Sequence, residues 1–427
     1  MDQNETKLTP LEGLAGFKKH FVADFSAGFS VFLLALPLSL GIAAASNFPP
    51  IMGVFSAIIG GVFASFLSGS HLSIKGPAAG LIVIVAGAVE AFGGGVEGWK
   101  LSLGAMVVAG LLQVLFGLLK LGRLVSIFPL SVIQGMLAAI GLVIIAKQFP
   151  VLLNIDPELL QGKGPISLFL NFPDYIQNLD PKVSCIGALS LLIMLLWPRI
   201  KLAYLKIIPA PLLVLFVAIP LGLWMNLGSE SPAYTLLSIG NLAEEVSWNV
   251  DFSGLSRPGI FIKYVLLLAL VGSLESLLTV KAIDIMDPYE RESDPNKDLI
   301  AIGLGNSIAA LFGGLPMISE IARSSANVNQ GAKSTWANFW HGAVLLLFVL
   351  LAYPLLEMIP NAALAAMLIA VGLRLVNPKG LANIYQLGLD HLAAFFLTII
   401  LTLVEDLLLG IASGMVLLAI TKRLKKG

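Results

Sequence analysis

Residues 69–81 read GSHLSIKGPAAGL, and long apolar runs flank them on both sides. A lysine, a glycine and a proline fall together where hydrocarbon would otherwise continue. Backbone abandons regular structure at membrane depth only where protein or a water-filled cavity satisfies its polar groups. The stretch reads as an extended segment over 70–75 and a short helix opening near Pro77. Proline suits a first helical turn because its missing N–H is one that has no intrahelical partner anyway. A second broken stretch, FGGLPMISEIARSSAN at 312–327, repeats the arrangement farther along.

The flanking runs set the class. Of 427 residues 57% are hydrophobic and 12% charged, with a mean hydropathy of +0.91, whereas a soluble domain carries about 25% charge. Apolar runs near twenty residues recur to the end of the chain, which defines a polytopic helical membrane protein with the lipid bilayer as its surroundings. Spans are expected at 22–45, 50–68, 77–92, 99–120, 124–148, 182–198, 206–226, 259–283, 295–312, 320–331, 336–353, 361–375, 388–404 and 406–422. Several of these fourteen are too short to cross about 30 Å of hydrocarbon as straight helices.

Cys185 is the only cysteine, so no intrachain disulfide and no cysteine-based zinc site is expected. His20, His71, His341 and His391 lack metal-ligand spacing, and no basic aromatic patch points to nucleic acid. The first 21 residues lack a signal-peptide pattern and read as an amphipathic lead-in on the membrane surface. No nucleophile stands at usable spacing from a base, so an enzyme is not expected.

Charge orients the spans. An even count puts both ends on one side, and Lys18, Lys19, Lys422, Arg423, Lys425 and Lys426 mark that side as cytoplasmic. Lys120 with Arg123, Arg199 with Lys201 and Lys206, and Arg374 with Lys379 fall there too. The longest opposite loops are acidic, with Asp156, Glu158, Asp174 and Asp180 in one and Glu230, Glu244, Glu245 and Asp251 in the other. A multi-pass protein of the cell (inner or plasma) membrane is expected.

The two broken stretches lie seven elements apart, and an odd number of spans per half inverts one repeat against the other. Interrupted segments at matching positions point to a transporter's binding site. Each short helix would aim free N–H groups and a positive dipole end at one midplane point, which attracts anions. Arg323 opens the second half-helix, followed by Ser324 and Ser325, and Lys75 precedes the first. An ionisable residue within a span costs roughly 2.5–3.5 kcal/mol or more, so each is a functional candidate. Glu275 in GSLESLLTV, with Thr279 one turn on, and Glu320 join them as coupling-ion ligands, proton carriers or counter-charges.

Other motifs read as structure. AFGGGVEG at 91–98 lacks the GK[ST] ending of a phosphate loop. Glu90, Asp284 and Asp287 are expected to face water, and DPYERESDPNKD at 287–298 to be a solvated cytoplasmic loop. The small residues of GVFSAIIGGVFAS (53–65) and LIVIVAGAVEAFGGG (81–95) suit close helix packing.

Four ordered motifs carry a family resemblance: DFSAGFSVFLLALPLSLG (24–41), GSHLSIKGPAAG (69–80), NKDLIAIGLGNSIAALFGGLP (296–316) and ARSSANVNQGAKS (322–334). Together they resemble the transmembrane part of the SulP (sulfate permease) anion transporters. The resemblance implies an all-α polytopic fold of 14 transmembrane elements in a 7+7 inverted repeat. It has core and gate domains and two short half-helices preceded by extended segments. The core would comprise 22–122 and 258–354, the gate 123–228 and 355–427, and 229–257 an extracytoplasmic loop. The core would move as an elevator, with the anion between the third and tenth half-helices.

Carried over, the substrate site is Gly76, Pro77, Ala78 and Ala79, then Ile321, Ala322, Arg323, Ser324 and Ser325, with Pro37 and Leu38 from the first span. Glu275 and Thr279 fall on the sodium positions of the cyanobacterial bicarbonate branch, although the acid here is glutamate. Ala78 stands where the family usually has serine or threonine, and Ile321 where that branch supplies a sodium-site hydroxyl. Lys75 replaces a small uncharged residue and Glu320 is an added acid. The Lys75 ammonium would then do what sodium does elsewhere, leaving Glu320 or Glu275 to carry a proton. The family's C-terminal STAS domain is expected to be missing, which would remove one dimer contact, although a homodimer stays open.

The expected function is secondary active transport of a small inorganic oxyanion, bicarbonate or sulfate, coupled to protons or sodium or run as exchange. No organic cofactor is expected. The alternatives are a proton-coupled nucleobase carrier, which would use Glu275 and Glu320, and a passive anion channel.

Overall fold

The computed structural model describes residues 9–123, 128–160, 162–200, 208–230, 232, 235–239 and 242–424. Lys201, Lys206, Lys425 and Lys426 lie outside the described residues. The apolar runs form helices α1 (Gly13–Ala45), α2 (Pro50–Val62), α3 (Ile82–Ala91), α4 (Gly95–Leu118), α5 (Leu130–Leu152), α6 (Pro181–Leu196) and α7 (Ala210–Trp224). The second half supplies α8 (Pro258–Met286), α9 (Pro295–Leu311), α10 (Ile321–Asn329), α11 (Trp336–Leu356), α12 (Asn361–Val376), α13 (Leu389–Val404) and α14 (Leu407–Leu424). Among the described residues seven helices are long and apolar enough to cross a membrane.

Sequence chemistry sets the helix starts. Proline stands in the opening turn of α2, α6, α8 and α9, where its missing N–H costs nothing. Asp180 and Asp294 cap α6 and α9 by accepting from the next backbone N–H groups.

Two strands interrupt the helices. β1 (Lys75–Pro77) pairs antiparallel with β2 (Met317–Ser319), Lys75 opposite Ser319, Gly76 opposite Ile318 and Pro77 opposite Met317. The Glu320 N–H donates to the Ile74 carbonyl at 2.9 Å and lengthens the ribbon. Each strand runs into a short helix, which gives the two half-helices their extended lead-ins.

Three boundaries differ from the sequence reading. α1 begins at Gly13, so residues 13–21 are its first turns rather than a separate lead-in. Pro77 closes β1 rather than opening a helix, because a two-stranded ribbon has only edge strands, which tolerate a missing donor. A 3-10 turn, Ala79–Leu81, then leads into α3. The connection before α6 also carries two short helices, Pro165–Leu170 and Phe172–Gln177.

The chain forms two compact units. One holds the described residues within Met1–Leu81, Val85–Val125 and Gly240–Tyr353, the other those within Ile82–Ile84, Ser126–Ile239 and Pro354–Gly427. In the first, α4 packs on α9 through Gly110 and Gly303, where a Cβ on Gly303 would meet the Gly110 carbonyl at 2.5 Å. In the second, α5 packs on α12 the same way, with a Cβ on Gly141 meeting the Gly372 carbonyl at 2.5 Å. One core cluster of the second unit gathers Ala146, Leu152, Ile155, Ala365, Ala366 and Ile369.

Candidate functional site

Every site residue read from the sequence lies in the first unit. The ribbon is pinned by buried amides. Asn306 of α9 accepts from the Met317 N–H at 2.6 Å and donates to the Met317 carbonyl at 3.1 Å, while Gln113 of α4 accepts from it at 2.8 Å. Asn338 of α11 accepts from the Lys75 N–H and donates to the Gly60 carbonyl at 3.1 Å. Gly60 leaves room for this, since a Cβ there would meet the Lys75 carbonyl at 2.7 Å. Asn327 donates to the Leu72 carbonyl at 2.9 Å.

Arg323 is wholly buried, as the first turn of α10 turns it into the unit. Its Nη2 donates to Ser39 of α1 at 3.1 Å, while Nε and Nη1 have no hydrogen-bond partner. Among the described residues no carboxylate forms an ion pair with it. Nη1 lies against Gly76, where an added Cβ would approach it to 2.2 Å. The second half-helix thus reaches back to the first strand through its guanidinium.

Glu320 is the N-cap of α10, its Oε2 accepting the Arg323 N–H at 2.8 Å. A carboxylate already occupies the positive end of that helix. Ser324 donates to the Glu320 carbonyl at 2.6 Å and accepts from the Ile74 N–H at 2.8 Å, and Ser325 points to the Met286 sulfur. Ile321 is exposed, Ala79, Ala322 and Ser325 are half-buried, and Gly76, Pro77, Ala78, Pro37 and Leu38 are buried.

Glu275 of α8 is buried against the other half-helix, and an added Cβ on Gly80 would meet its Oε1 at 2.1 Å. Its Oε1 has no hydrogen-bond partner. Thr279 is buried one turn along α8.

Lys75 is placed otherwise. Its Nζ pairs with Asp298 Oδ1 at 2.9 Å, both side chains fully buried. It also donates to Ser68 at 2.5 Å and to Ser73. The run 287–298, expected as a solvated loop, is therefore partly interior. Asp298 neutralises Lys75, and Asp287 is buried under Arg291 at 2.7 Å. Asp284, also expected in water, is half-buried and accepts from the Ser293 N–H and hydroxyl. Glu90 is exposed as expected.

Sequence reasoning missed four more polar residues. Asp24 accepts from the Lys333 and Ser334 N–H groups at 2.7 and 3.1 Å, tying the first motif to the last. Asn306 and Asn338 hold the ribbon. His341, one turn beyond Asn338, is buried with both ring nitrogens unpartnered. Asn306 and Asp24 stood inside quoted motifs, where a polar side chain amid small apolar neighbours was the available signal.

A broken-helix site inside a polytopic helical bundle defines a membrane transporter, and the comparisons give its family. The Sulfate permease family model matches residues 21–400, and the chain belongs to that family. YvdB of Bacillus subtilis, whose name proposes sulfate transport, is 29% identical over 407 residues, covering 93% of this chain and 72% of its own. The bicarbonate transporter BicA of Picosynechococcus is 26% identical over 403 residues, covering 92% and 68%. The transmembrane domain of a cyanobacterial BicA shares the fold with a TM-score of 0.80 at 23% identity, over 92% of this chain and 98% of that one. The chain is a multi-pass membrane protein of a transporter family, not an enzyme.

Proposed function

We propose that this protein is a secondary active transporter of a small inorganic oxyanion, bicarbonate or sulfate, bound beside Arg323 between residues 76–79 and the N-terminal turn of α10. The observation that carries the reading is the state of Arg323. A buried, unpaired charge is expensive, and this guanidinium keeps two donor atoms without partners while Lys75 is fully compensated. An incoming oxyanion supplies the missing acceptors, and Gly76 leaves the guanidinium the room to stand beside β1 without a side chain in the way. Relatives named for sulfate and for bicarbonate transport support the substrate class.

Binding displaces the Glu320 carboxylate from the α10 N-terminus, and Glu275 beside Gly80 is the group for a proton or sodium ion. The first unit carries the whole site and moves as the elevator, with both chain ends cytoplasmic in the cell membrane. Thermal unfolding with bicarbonate, sulfate and uracil tests the substrate class. Stabilisation by an oxyanion, lost in Arg323→Ala, supports the reading. Stabilisation by uracil alone would move it to a nucleobase carrier.

A further inference from the structure

The Lys75–Asp298 pair lies outside the anion reading, and its surroundings have a definite chemistry. Three acceptors meet the three N–H bonds of the ammonium: the Asp298 carboxylate at 2.9 Å, the Ser68 hydroxyl at 2.5 Å and the Ser73 hydroxyl. The carboxylate in turn receives the Ser68 hydroxyl on Oδ1 at 2.9 Å and the Ser319 hydroxyl on Oδ2 at 3.0 Å. All five side chains are buried. The shell around Nζ is one carboxylate and neutral hydroxyls, oxygen only, with a formal charge of minus one. Hard cations take such oxygen ligands.

The cage draws its walls from separate parts of the chain. Ser68 follows α2, Ser73 precedes β1, Asp298 lies in the first turn of α9 and Ser319 ends β2 directly opposite Lys75. Filling the cage therefore fixes β1 against β2. Gly76, the next residue, lies against Arg323 Nη1, so a slip of β1 reaches the guanidinium at once.

We propose that these oxygens form a monovalent-cation site that the chain fills with its own ammonium, making Lys75 a positioning residue for the ribbon and for Arg323. Removing the stem leaves the cage with an uncompensated carboxylate and room for a small mobile cation. An ordinary buried ion pair would give a variant that is merely less stable. A cation site gives one whose stability depends on which cation is present.

The test is thermal unfolding of purified Lys75→Ala in sodium, potassium, ammonium and methylammonium chloride, against N-methylglucamine chloride at equal ionic strength. The expected result is a saturable rise of several degrees with at least one small cation. The wild type and the neutral double variant Lys75→Met/Asp298→Asn, which both keep Glu275, should lack this additional rise. In Lys75→Ala, anion uptake should recover with the same cation. Lys75→Ala equally stable in every salt, or unfolded in every salt, overturns the proposal, as does an equal response of the double variant. The unfolding readout needs no substrate, so it stands or fails apart from the transport reading.

Discussion

The Arg323 guanidinium has one hydroxyl partner, Ser39, and two donor atoms facing no acceptor. Removing one partner of a buried charge interaction costs about 2–5 kcal/mol, so Arg323→Ala should weaken anion binding roughly 30- to 4000-fold. Anion titration of the purified variant measures this. Glu320 has the opposite sign of effect. Glu320→Ala removes a cap worth about 1 kcal/mol and clears a carboxylate from the α10 N-terminus. Its unfolding midpoint should fall while its anion affinity rises, and a weakened affinity would contradict the competition described here. Arg323, Glu320, Glu275 and Lys75 were all visible in the sequence, because charge inside an apolar run stands out. The partner of Lys75 was not. Asp298 opens α9, where an acid suits the helix dipole and looks solvated, and its pairing spans more than half the chain.

At the scale of elements, the site depends on a three-residue ribbon held by side chains of neighbouring helices. Asn306 satisfies both the N–H and the carbonyl of Met317. Asn306→Leu leaves those buried groups and Gln113 unpaired, at about 1–3 kcal/mol for each unsatisfied group. Lower thermal stability together with weakened anion binding should appear, and unchanged binding would show that the ribbon does not position Arg323. The Gly110–Gly303 contact gives a separate prediction. Gly303→Val sets a branched side chain against the Gly110 carbonyl and should destabilise by about 1–3 kcal/mol through overpacking, read as a lower midpoint with anion affinity little changed. The broken stretches were legible because Gly, Pro and charge interrupt hydropathy. The strand pairing was not, since three residues carry no period and their partners are more than 200 residues away.

Across the described residues, thirteen of the fourteen helices named above were legible from apolar runs, whereas α10 was legible from the Gly/Pro break before it and the spacing of the two breaks. The start of α1 at Gly13 was missed because Lys18, Lys19 and His20 lower the local hydropathy, while helix continuity follows from backbone bonding rather than burial. The candidate site residues share one unit, and the coupling role proposed for Glu275 is tested there. Glu275→Gln should leave a folded protein whose anion uptake no longer responds to an imposed proton or sodium gradient. A wild-type response to either gradient in that variant would take Glu275 out of the coupling role.

The most direct test of the central claim is uptake of radiolabelled bicarbonate and sulfate into proteoliposomes by wild type and Arg323→Ala. Saturable uptake of at least one anion by the wild type is predicted, with none by a variant that stays monodisperse. Equal uptake by the variant, or no uptake of either anion by a folded wild type, would contradict the account.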